Sequence, residues 1–193
     1  MKSITLRYEP HQQWKTFVLW CLGGGCVTMV TPQAWAGERL IPGTLCQQTE
    51  QVVFSCPLRG KAKIVSLCGT KDLSATEGYL SYRFGTAKRI ELAFPPDRRD
   101  TQKRFRYAHY LRYRVDRTNV SFTNEGHTYI VFDSYDGEST PVVQERGVQV
   151  SRTEASDAEV TLLCHAPVRG SLSRLSTVIP CDPNDPLNMG DCP

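Results

Sequence analysis

Between Val52 and Cys164 the chain is a succession of short runs rich in valine, isoleucine, phenylalanine, tyrosine and threonine, separated by glycine, asparagine or proline. β-Branched and aromatic residues favour strands and the intervening residues favour turns, so this pattern predicts antiparallel β structure. A sustained helical stripe of apolar residues is absent, and the best helical segment, Gly170 to Ser176, is long enough for a turn or two only. We therefore expect an all-β fold, a single antiparallel β-sandwich or barrel-like domain.

The runs define the candidate strands and two candidate hairpins. Gly85-Thr86 is expected to connect one hairpin, and the three-residue segment Asn124-Glu125-Gly126 the other. The core is expected at about residues 50–165, between irregular N- and C-terminal arms. The candidate strands are Val52 to Cys56, Ala62 to Leu67, Tyr79 to Phe84, Arg89 to Phe94, Arg104 to Val115, Val120 to Thr123, Thr128 to Asp133, Gly147 to Ser151 and Glu159 to Cys164.

The first 36 residues have the composition of a secretory signal peptide. An apolar stretch from Phe17 to Val30 follows three basic residues and runs into Ala34-Trp35-Ala36, a small-x-small cleavage pattern. The stretch is too short for a membrane-spanning helix of about 20 residues. Residues 1–36 are therefore predicted to be a signal peptide and residues 37–193 a single β-rich domain. The predicted location is the periplasm or the medium, with no integral membrane anchor after cleavage.

Six cysteines follow the predicted leader, and an oxidising compartment makes them disulfide candidates. They are Cys46, Cys56, Cys68, Cys164, Cys181 and Cys192. Six cysteines allow 15 pairings. Spacing favours Cys56 with Cys68 across a hairpin, Cys181 with Cys192 around a stapled C-terminal arm (166–193), and Cys46 with Cys164. An alternative joins Cys164 to Cys181 and Cys46 to a neighbour.

The segment from Asp97 to Arg117 is rich in arginine and tyrosine, although the net charge of the whole chain is only +3. Arginine interleaved with aromatic residues is typical of a groove for nucleic acid or another anionic polymer. A two-faced strand with arginines toward water explains the same pattern without a ligand. The candidate binding residues are Arg104, Arg106, Tyr107, Tyr110, Arg112, Tyr113 and Arg114.

Other sequence features argue against a metal, a cofactor or a known catalytic motif. The chain has no Cys-x-x-Cys pair, and the acidic segment Asp133 to Glu138 does not fit a calcium loop because Phe132 stands at a ligand position. This segment is expected to be a polar turn that pairs with the arginine-rich strand. His109, His127 and His165 lie in no catalytic motif, so binding is favoured over catalysis.

Several short sequence phrases resemble those of a group of exported bacterial proteins of unknown function. They are Phe54-Ser55-Cys56, Leu67-Cys68, Tyr82-Arg83-Phe84-Gly85, Val131 to Glu138, and Val178-Ile179-Pro180-Cys181-Asp182. The resemblance covers most of residues 45–192. It implies a periplasmic location and gives no information on activity.

These observations lead to three functional hypotheses. The first is an exported, non-enzymatic binding protein with an envelope protein as partner, such as an inhibitor of a cell-wall hydrolase or a toxin. The second is binding of an anionic polymer or glycan through the Arg/Tyr-rich strand 104–117. The third is a hydrolase on a β scaffold.

Overall fold

The structure is a computed structural model that describes residues 39–153, 155–190 and 192. The predicted signal peptide lies outside the described residues. Ten strands form two antiparallel sheets, and the described residues contain no α-helix. The strands are β1 (Glu50–Pro57), β2 (Ile64–Thr70), β3 (Leu80–Thr86), β4 (Arg89–Phe94), β5 (Arg106–Arg112), β6 (Val115–Asn124), β7 (His127–Asp136), β8 (Val143–Arg152), β9 (Ala155–Leu163) and β10 (Arg169–Gly170).

Each sheet has five strands, and neither is closed into a barrel. The first sheet has the order β10-β1-β2-β3-β4, and the second follows the chain from β5 to β9. Successive hairpins connect β1 to β4 and β5 to β9, and β10 returns to pair with β1. This arrangement confirms the all-β, antiparallel prediction. Both predicted hairpins form, but their loops differ from the prediction. Gly85 and Thr86 belong to β3, and Ala87-Lys88 connects β3 to β4 because Thr86 pairs with Arg89. The β6–β7 hairpin has a two-residue loop, Glu125-Gly126, and not the expected three-residue one, since Asn124 pairs with His127. Both loop residues have positive φ, as a tight hairpin turn requires.

The two sheets pack face to face through an aromatic core. Phe122 on β6 stacks on Phe94 of β4 at a centroid distance of 4.4 Å and lies 4.9 Å from Tyr82 of β3. On its own sheet Phe122 stacks on Tyr129 at 4.8 Å. Such contacts bury large apolar rings between the layers. Of the two predicted alternatives, sandwich and barrel, the fold is therefore the sandwich.

The disulfides correct two of the three favoured pairings. The bonds are Cys46–Cys68, Cys56–Cys164 and Cys181–Cys192, of which the last was expected. Cys56 is paired in register with Val65, three residues before Cys68. Because side chains alternate between the faces of a sheet, Cys56 and Cys68 point to opposite faces and cannot bond. Cys56 instead joins the two sheets, and Cys68 binds Cys46 of the N-terminal arm.

Both arms are fixed to the sandwich. The N-terminal arm covers the outer face of the first sheet, where the Leu45 amide donates to Ser66 Oγ at 3.0 Å. The C-terminal arm inserts Leu172 and Leu175 into the core and then follows the free edge of β5. There Tyr107 N donates to Pro180 O and Asp182 N donates to Tyr107 O, both at 2.8 Å. The arm therefore covers an edge that would otherwise invite another strand.

Candidate functional site

The arginine-rich segment is not the single strand that the sequence predicts. The 3₁₀ helix Thr101–Arg104 precedes β5, and a two-residue turn, Tyr113-Arg114, separates β5 from β6. Arg112 pairs with Val115 across this turn, and Arg114 has φ 58°. The turn contains no glycine, asparagine or proline, so the expected strand Arg104 to Val115 was wrong because its turn carries no sequence signal.

The seven candidate binding residues consequently do not share one surface. Arg104 lies in the 3₁₀ helix, and Arg106, at the start of β5, is paired with Ser121. Six residues of extended chain, about 20 Å, separate Arg106 from Arg112. Tyr113 and Arg114 form the exposed turn, and Tyr110 is half-buried beside the C-terminal arm. The structure thus brings together only the members from Tyr110 to Arg114.

Tyr107 belongs to the core. It is 7% exposed, and its hydroxyl group hydrogen-bonds Thr118. Burial raises the pKa of Tyr107, and the hydrogen bond from Thr118 offsets only part of that effect. Tyr107 is therefore not available as a surface anchor.

The acidic segment is not the predicted turn, since Asp133 to Asp136 form the end of β7, but it does pair with the arginines. Arg112 Nη1 lies 2.6 Å from Glu138 Oε1, and Arg117 Nη2 lies 3.7 Å from Asp136 Oδ2. The hydrogen bond from Arg112 lowers the pKa of Glu138, and the backbone amide of Glu138 lowers that of Asp136. These ion pairs neutralise part of the cationic surface that a polymer would contact.

The inner face of the second sheet, which faces the first sheet, changes from apolar to polar residues. The change occurs at the same position along β6, β7 and β8. Val120, Val131 and Val148 form one cross-strand row and are fully buried. The next row is Thr118, Asp133 and Arg146, and the row after it is Asp116, Tyr135 and Gln144. The first sheet covers the valine row but not the outermost row, since Tyr135 is 36% exposed and Asp116 is exposed as well.

The part of the second sheet beyond the valine row is here called the projecting end. It comprises residues 109–118 and 133–146, with the turns Tyr113-Arg114 and 137–142 at its tip. Hydrogen bonds tie its polar rows together: Arg146 Nε donates to Asp133 Oδ2 at 2.7 Å and Gln144 Nε2 to Asp133 Oδ1 at 2.6 Å. His109 Nε2 lies 2.9 Å from Asp116 Oδ1. The polar face is therefore an ordered surface.

Exposed apolar side chains concentrate at this same end. Eight large apolar residues are exposed among the described residues, and six of them lie on the projecting end or on the arm beside it. Tyr113 is 83% exposed and Leu111 67%. The six are Leu111, Tyr113, Tyr135, Val142, Val143 and Met189.

Two depressions flank the projecting end. The one on the inner face has a volume of about 230 Å³ and is closed on one side by Ser171-Leu172-Ser173. The one on the outer face has a volume of about 360 Å³ and lies between the sheet and the C-terminal arm. The outer groove is lined by Tyr110, Arg112, Val115, Arg117, Pro186, Leu187 and Met189.

Among the described residues, one cluster of potential metal-binding atoms is found, and all of its members are already engaged in other bonds. Cys46, Glu50 and Cys68 bring their donor atoms within 4.8 Å of one another. The two sulfurs form a disulfide, and Glu50 is held by Arg83. The acidic C-terminal loop is likewise engaged internally, because Asp185 accepts hydrogen bonds from Asn119 and from the Leu187 amide.

No family model, curated protein or solved structure matches this chain. Within the described residues, no helix has the length and apolar character needed to span a membrane.

Proposed function

We propose that this protein is exported and acts by binding another protein through its projecting end. The observation that carries the proposal is the concentration of exposed apolar residues at that end. Exposed apolar residues that gather at one end of a domain favour an interaction surface at that end. Tyr113, at the tip, combines a large ring with a hydroxyl group, a combination common in the residues that dominate binding energy.

The shape of the projecting end favours a concave partner. Tyr113 and Arg114 form a two-residue turn that caps β5 and β6, so the tip is narrow and convex. Enzyme active sites are clefts that a convex tip can fill. We therefore propose inhibition of a hydrolase of the cell wall or of a toxin as the specific role.

Export is supported by the covalent structure and by the leader. Three disulfides are formed among the described cysteines, and such bonds persist in oxidising compartments. The apolar leader before Gly37 directs a chain to such a compartment. The periplasm or the medium is the proposed location.

Binding of an anionic polymer has less geometric support. Arg104 and Arg106 lie toward the end of β5 opposite to the tip, and Arg112 is paired with Glu138. A polymer site on this segment would have to displace that ion pair. The steep salt dependence that distinguishes such binding is therefore not expected here.

Capture from envelope extract tests the proposal. The purified, oxidised protein is immobilised beside a Leu111→Ala/Tyr113→Ala variant and an Ile90→Ala control, since Ile90 is 40% exposed on the other sheet. We expect the wild type and the control to retain the same discrete protein and the tip variant to lose it. Equal capture by all three forms, or no capture by the wild type, would contradict the proposal.

A further inference from the structure

The lining of the inner depression of the projecting end is more polar than apolar. Thr118, Asp133 and Arg146 form its first row, and Asp116, Tyr135 and Gln144 its second. Ser171 and Ser173 stand on the opposite wall, where their hydroxyl groups lie 2.7 Å apart. Ligand pockets are usually mostly apolar, so a depression of about 230 Å³ with this lining suits a hydrophilic ligand.

The internal hydrogen bonds leave a mixed set of donors and acceptors unused. Asp133 has both oxygens occupied by Arg146 Nε and Gln144 Nε2. Among the described residues, no partner contacts the Nη groups of Arg146, the Oε1 atom of Gln144 or the hydroxyl group of Tyr135. Asp116 uses Oδ1 for His109, and its Oδ2 has no partner in the same part of the chain. The pocket thus offers donors and acceptors side by side.

This mixture discriminates between classes of ligand. A metal ion needs acceptors alone, and the guanidinium of Arg146 in the lining repels it. A phosphate or sulfate needs donors alone, and Asp116 and Asp133 repel it. A hydroxyl group both donates and accepts, so adjacent hydroxyl groups of a sugar match a carboxylate beside a guanidinium.

Tyr135 adds an aromatic surface to this polar set. It stands between Asp116 and Gln144 in the outermost row and is 36% exposed. The face of an aromatic ring carries partial negative charge, which attracts the C–H groups on one side of a pyranose ring. The ring lies against Gly137, where a Cβ atom would come 2.7 Å from Tyr135 Oη. The absence of a side chain at Gly137 therefore leaves room for the ring.

We propose that the inner depression binds a neutral pyranose unit of an oligosaccharide. Asp116 and Gln144 accept hydrogen bonds from sugar hydroxyl groups, Arg146 donates to a sugar oxygen, and Tyr135 contacts the ring face. This inference goes beyond the proposed function. The tip residues Leu111 and Tyr113 do not line the depression, although Tyr135 belongs both to the depression and to the exposed apolar residues of the projecting end.

Two-dimensional NMR titration of the full, oxidised protein tests the proposal. The probes are the neutral trisaccharides of N-acetylglucosamine and of glucose, with a sulfated disaccharide and calcium chloride as contrasting ligands. We expect a neutral trisaccharide to shift the amide signals of Thr118, Asp133 and Arg146 saturably. Neither contrasting ligand is expected to do so.

Variants then locate the site. Asp116→Asn and Tyr135→Ala change exposed side chains that the core does not need, and each should weaken binding about tenfold because one charged hydrogen bond or one ring contact is lost. Glu145→Gln, on the opposite face of β8 between Gln144 and Arg146, should leave binding unchanged. The absence of saturable shifts with both trisaccharides would overturn the proposal, as would equal binding by all three variants or matching shifts with the sulfated probe or calcium.

Discussion

Arg83 Nη1 lies 2.6 Å from Glu50 Oε2 and Arg83 Nη2 lies 2.8 Å from Glu50 Oε1, so the two side chains form a two-point ion pair beneath the N-terminal arm. Their side chains are 10% and 1% exposed. Tyr79 Oη also donates to Glu50, and Arg83 Nη1 also donates to Leu45 O. Through these bonds the pair connects the arm to β1 and β3.

Removal of the charge on Glu50 should destabilise the protein strongly. In Glu50→Gln the buried guanidinium loses its carboxylate, and breaking one partner of a buried pair costs about 3 to 5 kcal/mol. Urea unfolding of the oxidised protein measures the change in free energy. Glu145→Gln, at an exposed position, is the matched control and should change it by about 0.5 kcal/mol or less. If Glu50→Gln lowers the free energy of unfolding no more than the control does, the ion pair does not stabilise the protein as proposed.

The same pair predicts a dependence of stability on acid. Burial opposes ionisation of Glu50, but the hydrogen bonds from Arg83 and Tyr79 and from the Gln47 amide outweigh it, so the pKa of Glu50 is below its ordinary value of 4.5. A carboxyl group with a lowered folded pKa stabilises above its unfolded pKa, and this contribution is lost as pH falls through the folded value.

The difference in unfolding free energy between wild type and Glu50→Gln should therefore shrink as the pH falls below about 4.5. Denaturant titrations of both proteins from pH 7 to pH 3 give this difference directly. A gap that stays constant over the range would show that the ionisation of Glu50 does not support the fold.

The disulfides should differ in their effect on stability. Cys56 and Cys164 are 108 residues apart, against 22 for Cys46 and Cys68. In the loop-entropy model, removal of the longer link costs about 4 to 5 kcal/mol and removal of the shorter about 3. Thermal unfolding of the two double-alanine variants compares them. A larger loss in Cys46→Ala/Cys68→Ala would contradict this order.

Asn188 should hold the C-terminal arm on the edge of β5. Its Oδ1 accepts from His109 N at 3.0 Å, and its Nδ2 donates to Asp182 O at 2.7 Å and to Tyr107 O at 3.2 Å. Asn188→Ala leaves the His109 amide without its acceptor, at a cost of about 1 to 3 kcal/mol, whereas Tyr107 O still accepts from the Asp182 amide. Hydrogen exchange at the His109 and Asp182 amides should accelerate.

Asn184→Ala is the matched control on the same loop, because no contact of its exposed side chain is found among the described residues. Its exchange at His109 and Asp182 should equal that of the wild type. If Asn188→Ala behaves like this control, the arm is held by other contacts.

The sequence predicts the fold class because each short segment carries the signals for a strand, its composition and its period-two alternation, without reference to the rest of the chain. It predicts the Cys181–Cys192 loop for the same reason, since the intervening residues are turn formers. It fails for Cys56 and Cys68, where the face of each side chain depends on a register that no single run reveals. It also fails at Tyr113-Arg114, where the turn residues carry no turn signal.

The polar rows of the projecting end show a different limit. Asp116 and Thr118 precede Val120 on β6, and Asp133 and Tyr135 follow Val131 on β7. Each strand by itself shows only the alternation of residues between two faces that is usual in β-strands. Only the pairing of β6, β7 and β8 places the polar residues side by side. Long-range register is therefore the missing information for this site.

Photo-crosslinking tests whether the projecting end binds a protein. Tyr113 is replaced by p-benzoylphenylalanine in one protein and Ile90 in a second, and both are irradiated in envelope extract. The two positions are exposed, 83% and 40%, so the replacement should leave both proteins folded. We expect a discrete crosslinked protein from position 113 and none from position 90. Equal crosslinking from the two positions, or a product from position 90 alone, would contradict it.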